Sequence, residues 1–145
     1  MENIFDIKFS FEKNTRENVI LKFSNKQGGG YNVFSNHWQC FVWAAVIGFI
    51  HNERKPLTPP IADRPFSLNT ICNGGGQKDA EALICMCIAK AGTLEIMKEP
   101  EKAIELINEY ANGGFYYILR ELESRPLSND LDWVKQEIFG RDISK

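Results

Sequence analysis

One strongly apolar segment constrains the fold of this chain more than any other feature. It reads NHWQCFVWAAVIGFIHN and covers residues 36–52. The large and small apolar side chains that recur at helical spacing are Trp38, Phe41, Val42, Ala45, Val46 and Phe49. Asn36 is a suitable N-cap, and Ala44, Ala45 and Gly48 would allow a second helix to come close. Because the apolar run is far shorter than the roughly 20 residues of a membrane-spanning helix, we predict the central helix of a soluble core.

The N-terminal residues follow a different period. Residues 7–12 read IKFSFE and alternate between apolar and polar side chains, which predicts a strand with one buried face. A strand needs a partner, either residues 18–23 or the same strand of a second copy, so a homodimer is possible. The predicted fold class is mainly α (α+β). One compact helical domain, residues 1–145, is built around the central hydrophobic helix and has a small N-terminal β element.

Prolines and glycines divide the rest of the chain. Four of the six prolines lie in residues 53–70 and predict an ordered connection that wraps the core. Beyond it we predict helices over residues 79–91, from Pro100 to about residue 111, and then over 115–123 and 130–139. Gly92 closes the first of these helices. The structural turn between the second and third is formed by Asn112, Gly113 and Gly114.

The EYANGGF stretch around this turn allows three interpretations. The favoured one is a helix C-cap followed by a sharp corner. A helix-turn-helix motif has the same outline, because two short helices meet at a turn that contains glycine. The helix after the turn carries Glu121 and Glu123, however, and acidic side chains disfavour contact with phosphates. The third interpretation is a backbone site that holds a ligand.

The charge of the chain is unevenly distributed. Residues 1–78 hold nine Lys or Arg against six acids, a balance of +3, and residues 79–145 hold eight against thirteen, a balance of −5. An overall charge of −2 argues against coating of nucleic acid by charge alone. An anionic partner would therefore bind the first half. The candidate contacts to nucleic acid or to a protein partner are Lys8, Lys13, Arg16, Lys22, Arg54, Lys55 and Arg64. The simpler alternative is a solvated surface.

No catalytic residue, cofactor or metal site is predicted. The four cysteines have no ligand spacing to each other or to the two histidines, and they are typical of buried thiols in a reducing compartment. The acidic N-terminus is unlike a secretory signal, so we expect a cytoplasmic protein without a membrane partner. Glycines 28–30 lack the Lys-Ser/Thr that completes a P-loop. A small-molecule binder or enzyme remains the alternative, with pockets near residues 74–76 and 112–114 and His37 or His51 as the titrating group.

Three stretches carry a resemblance to a known family. They are VFSNHWQCFVWAAVIGF, the basic Arg-Lys-Pro-Leu loop at residues 54–57, and INEYANGGFYYI. Between residues 33 and 119 the chain resembles the small bacterial proteins called DNA phosphorothioation (Dnd) system-associated protein 4, although Asn108 stands where that family's signature has a glutamate. The resemblance implies a non-enzymatic accessory or regulatory module of a DNA-modification and restriction system. Such a module would contact DNA or a DNA-bound protein partner.

Overall fold

The computed structural model of the chain describes residues 3–24, 34, 36–62 and 66–124. Within these residues the fold is helical. Helix α1 covers residues 13–23 and consists of Lys13–Thr15, a π-helical segment Arg16–Ile20 and Leu21–Phe23. The other helices are α2 (His37–Ile50), α3 (Leu68–Asn73), α4 (Gln77–Ala91) and α5 (Pro100–Ser124). Two 3₁₀ turns, Ile4–Asp6 and Leu94–Lys98, complete the described structure. No described helix is both long and apolar enough to cross a membrane.

Helix α2 is the centre of the core, as its sequence predicts. It begins at a capping box in which the Asn36 N–H donates to Gln39 Oε1 at 3.0 Å. Phe41 and Ala45 are fully buried, and Phe41 contacts the ring of Phe115 on α5 at a centroid distance of 6.3 Å. Burial on almost every side explains why the helix is apolar around most of its circumference.

Helix α5 corrects the predicted turn at Asn112, Gly113 and Gly114, because these residues lie inside one continuous helix of 25 residues. The glycines are there for close packing. A Cβ atom on Gly113 would overlap the backbone carbonyl of Glu53, and one on Gly114 would overlap that of Ala44. The expectation that small residues let a second helix approach α2 is therefore confirmed, and α5 is that helix.

The N-terminal strand prediction was wrong in its pairing but right about burial. Phe9 and Phe11 are buried, yet the described residues contain no regular strand. Isolated antiparallel bridges join Lys8 to Ser67 and Glu12 to Ile61. Residues 18–23, the proposed second strand, belong to α1, where the spacing of the buried Val19, Ile20 and Phe23 fits a helix. Since the extended segment finds partners within the chain, the unpaired strand no longer gives a reason for a homodimer.

The remaining predictions divide into confirmed elements and positions that the structure leaves undescribed. Helix α4 ends at Gly92, which adopts the left-handed conformation with φ 76°, and α5 begins at Pro100 as predicted. The connection after α2 follows the core and contains the short α3, which the sequence pattern does not predict. The 28–30 glycine loop, Arg64 and the predicted 130–139 helix lie outside the described residues.

Candidate functional site

A buried carboxylate lies at the junction of the N-terminal segment, the connection after α2 and α5. Glu12 is the N-cap residue of α1 and is only 2% exposed. Its Oε1 accepts a hydrogen bond from the Tyr116 hydroxyl at 2.6 Å. Its Oε2 accepts from the Thr58 backbone N–H at 2.7 Å and from Asn112 Nδ2 at 3.1 Å. Three donors therefore compensate the burial of this carboxylate. We call Glu12, Asn112 and Tyr116 the polar cluster.

Asn112 connects the polar cluster to the basic loop, residues 54–57. Its Nδ2 lies 3.2 Å from the carbonyl oxygens of both Lys55 and Pro56. Three oxygen acceptors surround this nitrogen, which fixes the orientation of the amide. The side chain is 1% exposed, so these bonds form away from bulk water. The buried amide thus holds the backbone of the basic loop against α5.

Ion pairs hold the basic loop on both sides of the polar cluster. Arg54 Nε lies 2.6 Å from Glu109 Oε1, and the Lys55 N–H donates to the Glu109 carbonyl at 3.1 Å. Toward the other end of α5, Arg120 Nη2 lies 3.0 Å from Glu53 Oε2. Exposed ion pairs contribute little energy singly, but here they add to the backbone bonds that fix the loop.

The structure brings some of the predicted cationic residues together. Lys55 is exposed, and its Nζ lies 4.9 Å from the centroid of the Tyr116 ring. Lys13 follows Glu12 directly and donates its backbone N–H to the Pro60 carbonyl at 2.9 Å, and Arg16 is one helical turn further along α1. We call Lys13, Arg16, Arg54 and Lys55 the basic surface.

The other predicted cationic residues have different neighbours or lie outside the described residues. Lys8 is at the bridge to Ser67, and Lys22 lies in the last turn of α1. Arg64 lies outside the described residues. The sequence also failed to predict Glu12, Asn112 and Tyr116 as partners, because hydrogen bonds across about 100 positions leave no periodic signal. The sequence signals at Asn112 were its position before two glycines, which predicted a turn, and the family-like YANGG stretch.

The surroundings of Tyr116 in the polar cluster shift the pKa of its hydroxyl. The hydrogen bond to Glu12 raises the pKa of the Tyr116 hydroxyl above its ordinary value, and partial burial acts in the same direction. A neutral phenol donates to the carboxylate, whereas a phenolate would repel it. The polar cluster therefore favours the protonated tyrosine.

Protein atoms fill the space beside most of the glycines that were proposed to flank a small-molecule pocket. A Cβ atom on Gly76 would overlap the Trp38 ring and Ile71, so Gly76 accommodates a core tryptophan, whereas Gly75 faces open space. His51 stacks on Tyr117 with ring centroids 4.2 Å apart. Among the described residues, no three His, Cys, Asp or Glu side chains are grouped as metal ligands. Gly76, Gly113, Gly114 and His51 thus have packing roles in the described structure.

The cysteines differ in their surroundings. Cys40 and Cys87 are buried, and burial raises the pKa of the Cys40 thiol well above its usual range and that of Cys87 to about 12. The Cys87 thiol donates to the Ala103 carbonyl at 3.3 Å. Cys72 is half-buried and Cys85 is exposed. The two buried thiols are inert core groups.

Comparison with known proteins agrees with this architecture. The family described as DNA sulphur modification system-associated protein 4 matches residues 12–138. The match spans the polar cluster, the basic loop and every helix from α1 to α5. Searches of the curated proteins and of the solved structures gave no match. Because the family match covers most of its length, the chain belongs to the DNA sulphur modification system-associated protein 4 family.

Proposed function

We propose that the chain is a non-enzymatic accessory module of a DNA sulphur modification system and that it contacts DNA through the basic surface. Membership of the family supports the accessory role. The observation that carries the DNA contact is the anchoring of the basic loop. The buried Asn112 amide donates to two successive loop carbonyls, Lys55 and Pro56. These two bonds hold the backbone at the cationic Lys55 and at Pro56 in a fixed position at the surface.

A fixed loop favours binding because less conformational freedom is lost on association. Lys55 also rests against the Tyr116 ring, which restricts its flexible side chain while leaving it exposed. The Tyr116 hydroxyl is in turn bonded to Glu12. The buried carboxylate, the tyrosine and the lysine thus form a continuous series of contacts from the core to the solvent.

The charges around the basic loop indicate which side chains contribute most. Arg54 already has Glu109 as a partner at 2.6 Å, so part of its charge is compensated. The Lys55 Nζ lies 4.9 Å from the centroid of the neutral Tyr116 ring, and Lys13 is exposed, with its N–H bonded to the Pro60 carbonyl just beyond the loop. The net charge of −2 also limits the contact to a local surface. We therefore expect Lys13 and Lys55 to account for most of the affinity.

Fluorescence anisotropy with short labelled duplexes, with and without phosphorothioate linkages, tests this proposal. The variant Lys13→Ala/Arg54→Ala/Lys55→Ala should bind more weakly at low salt. The slope of log affinity against log salt concentration should also become less steep by about 2–3, because each lost phosphate contact removes roughly 0.9 from it. The matched control Lys78→Ala/Lys98→Ala/Lys102→Ala removes the same charge from exposed positions elsewhere and should bind nearly like the wild-type chain.

Two outcomes would contradict direct DNA contact. One is that the wild-type chain binds neither duplex even at low salt. The other is that both triple variants weaken binding equally, because net charge alone would then be responsible. In either case the basic surface would serve a protein partner of the modification system or be only a solvated surface, and binding assays with purified components of the system would distinguish the two.

A further inference from the structure

Arg120 lies on α5 beside the basic loop but was not among the cationic residues selected from the sequence. Its side chain is 56% exposed, and its Nη2 contacts Glu53 Oε2 at 3.0 Å. Its guanidinium carbon lies 5.5 Å from the centroid of the Tyr117 ring. The Tyr117 ring itself stacks on His51 with an interplanar angle of 16°. An aromatic stack thus restrains the long Arg120 side chain at the surface.

Arg120 shares a helix face with the residues that hold the basic loop. Glu109, Asn112, Tyr116 and Arg120 follow one another at three- and four-residue spacing along α5. The adjacent residues Glu53 and Arg54 lie on this face at the start of the loop and pair in opposite directions along α5, Arg54 with Glu109 and Glu53 with Arg120. Eleven residues of helix place Glu109 and Arg120 roughly 16 Å apart. That distance corresponds to the rise of about five base pairs along the DNA helix axis.

We infer that Arg120 is a further phosphate-contacting residue of the same surface and that Glu53 competes with the phosphate for it. This inference rests on the proposed DNA contact. A guanidinium presents five N–H donors in a planar fork, and the contact with Glu53 engages one of its terminal nitrogens. An exposed ion pair is only weakly stabilising, so a phosphate can displace the Glu53 carboxylate. The stacked Tyr117 keeps the guanidinium in place while this exchange occurs.

The acidic character of the second half of the chain does not contradict this assignment. The sequence disfavoured the 115–123 region because it carries Glu121 and Glu123. In the folded chain, however, Arg120 lies next to Glu53, which directly precedes the cationic Arg54 and Lys55 of the basic loop. The fold therefore joins one arginine from the acidic half to the cationic surface of the first half.

Four single variants of the full chain test the inference by anisotropy at about 50 and 200 mM salt. Arg120→Ala should lower affinity, and the deficit relative to wild type should shrink by about three- to fourfold at the higher salt, as loss of one phosphate contact requires. Arg120→Lys should keep the wild-type salt dependence but lose part of the affinity, because lysine lacks the planar fork. Glu53→Gln should bind more tightly than wild type at low salt. Glu105→Gln, an exposed glutamate on α5 with the same charge change, should strengthen binding less.

The outcomes separate this inference from the proposed function. If Arg120→Ala binds like wild type while the Lys13, Arg54 and Lys55 triple variant loses affinity, Arg120 is only a helix-surface residue and the proposed function stands. If Glu53→Gln and Glu105→Gln have equal effects, Glu53 does not compete for the arginine. If the wild-type chain binds no duplex, both proposals fall. Thermal melting followed by circular dichroism checks that each variant is folded. If Arg120→Ala does not fold, the comparison of Glu53→Gln with Glu105→Gln decides the result.

Discussion

At the residue scale, the direction in which one buried amide donates its hydrogen bonds determines how the basic loop is held. Asn112 presents its nitrogen to Glu12 Oε2 and to the carbonyls of Lys55 and Pro56. None of these three oxygens can donate a hydrogen in return while Glu12 is a carboxylate. Position 112 therefore requires a hydrogen-bond donor of this size. A side-chain acceptor at this position would face three other acceptor oxygens.

Asn112→Asp is the sharpest test of this requirement, because it changes the chemistry without changing the shape. We expect the free energy of unfolding at neutral pH to fall by about 3–5 kcal/mol, the range for an uncompensated buried charge. Asn108→Asp is the matched control one turn earlier on α5. There the side-chain oxygen accepts from the Ser10 N–H at 3.0 Å, and aspartate keeps that acceptor. Urea unfolding of both variants gives the comparison, and equal losses would contradict the described role of Asn112.

Tyr116→Phe tests the hydrogen bond between Tyr116 and Glu12. Near pH 8 the variant should be less stable than wild type by about 1–3 kcal/mol, because the buried carboxylate loses a donor. The bond raises the pKa of Tyr116 above the unfolded value of 10.0. Its contribution is therefore complete below pH 10 and is lost as the pH rises through the folded-state pKa. The stability advantage of wild type over Tyr116→Phe should thus shrink above pH 10, and an advantage that grew with pH would refute the assignment.

At the element scale, the continuity of α5 is the feature that local sequence preference opposes. Glycine costs about 1 kcal/mol relative to alanine inside a helix, and α5 contains two in succession. Packing offsets this cost, because Gly114 lies against the Ala44 carbonyl and Gly48 of α2 lies against the Tyr110 carbonyl. The helices α2 and α5 therefore approach each other backbone to backbone.

Gly114→Ala should reverse the usual effect of this substitution in a helix. Helix propensity alone would stabilise the variant, but the added methyl group would overlap the Ala44 backbone carbonyl, which no side-chain rotation can relieve. We expect a net loss of about 1–3 kcal/mol, the range for overpacked cores. Glu105→Ala, at an exposed position of the same helix, should change the unfolding free energy by less than about 0.5 kcal/mol. A more stable Gly114→Ala variant would show that the two helices are further apart than described.

The elements differ in how well the sequence predicts them, and the difference is physical. Helix α2 and the end of α4 at Gly92 were predicted because their signals, a helical period with a cap and a C-terminal glycine, are local. The continuity of α5 was not predicted, because the reason for its glycines lies at Glu53 and Ala44, far away in the sequence. Residues 18–23 were a candidate strand only because the N-terminal strand needed a partner, and they are helical because packing of the fold decides such short segments.

At the scale of the whole molecule, the difference between local and long-range sequence signals also separates the two parts of the candidate site. The cationic residues of the basic loop could be found from the sequence, because clustered charge near prolines is visible locally. The polar cluster could not, because Glu12 comes from the N-terminal segment and its partners from α5. Glu12 occupies one of the polar positions of the predicted strand, so the alternating pattern predicted it on the exposed face. A long-range hydrogen-bond network places this carboxylate in the interior.

The most direct measurement of the proposed DNA contact is a nuclear magnetic resonance titration of the labelled chain with a short duplex. A protein of 16.6 kDa is well suited to it. Backbone amide signals should shift for the basic loop and for Lys13 and Arg16, and signals on α4 should stay in place. These shifts should fade as salt is raised, because phosphate contacts release counterions. Shifts centred on α4, or no shifts at low salt, would contradict DNA binding through the basic surface.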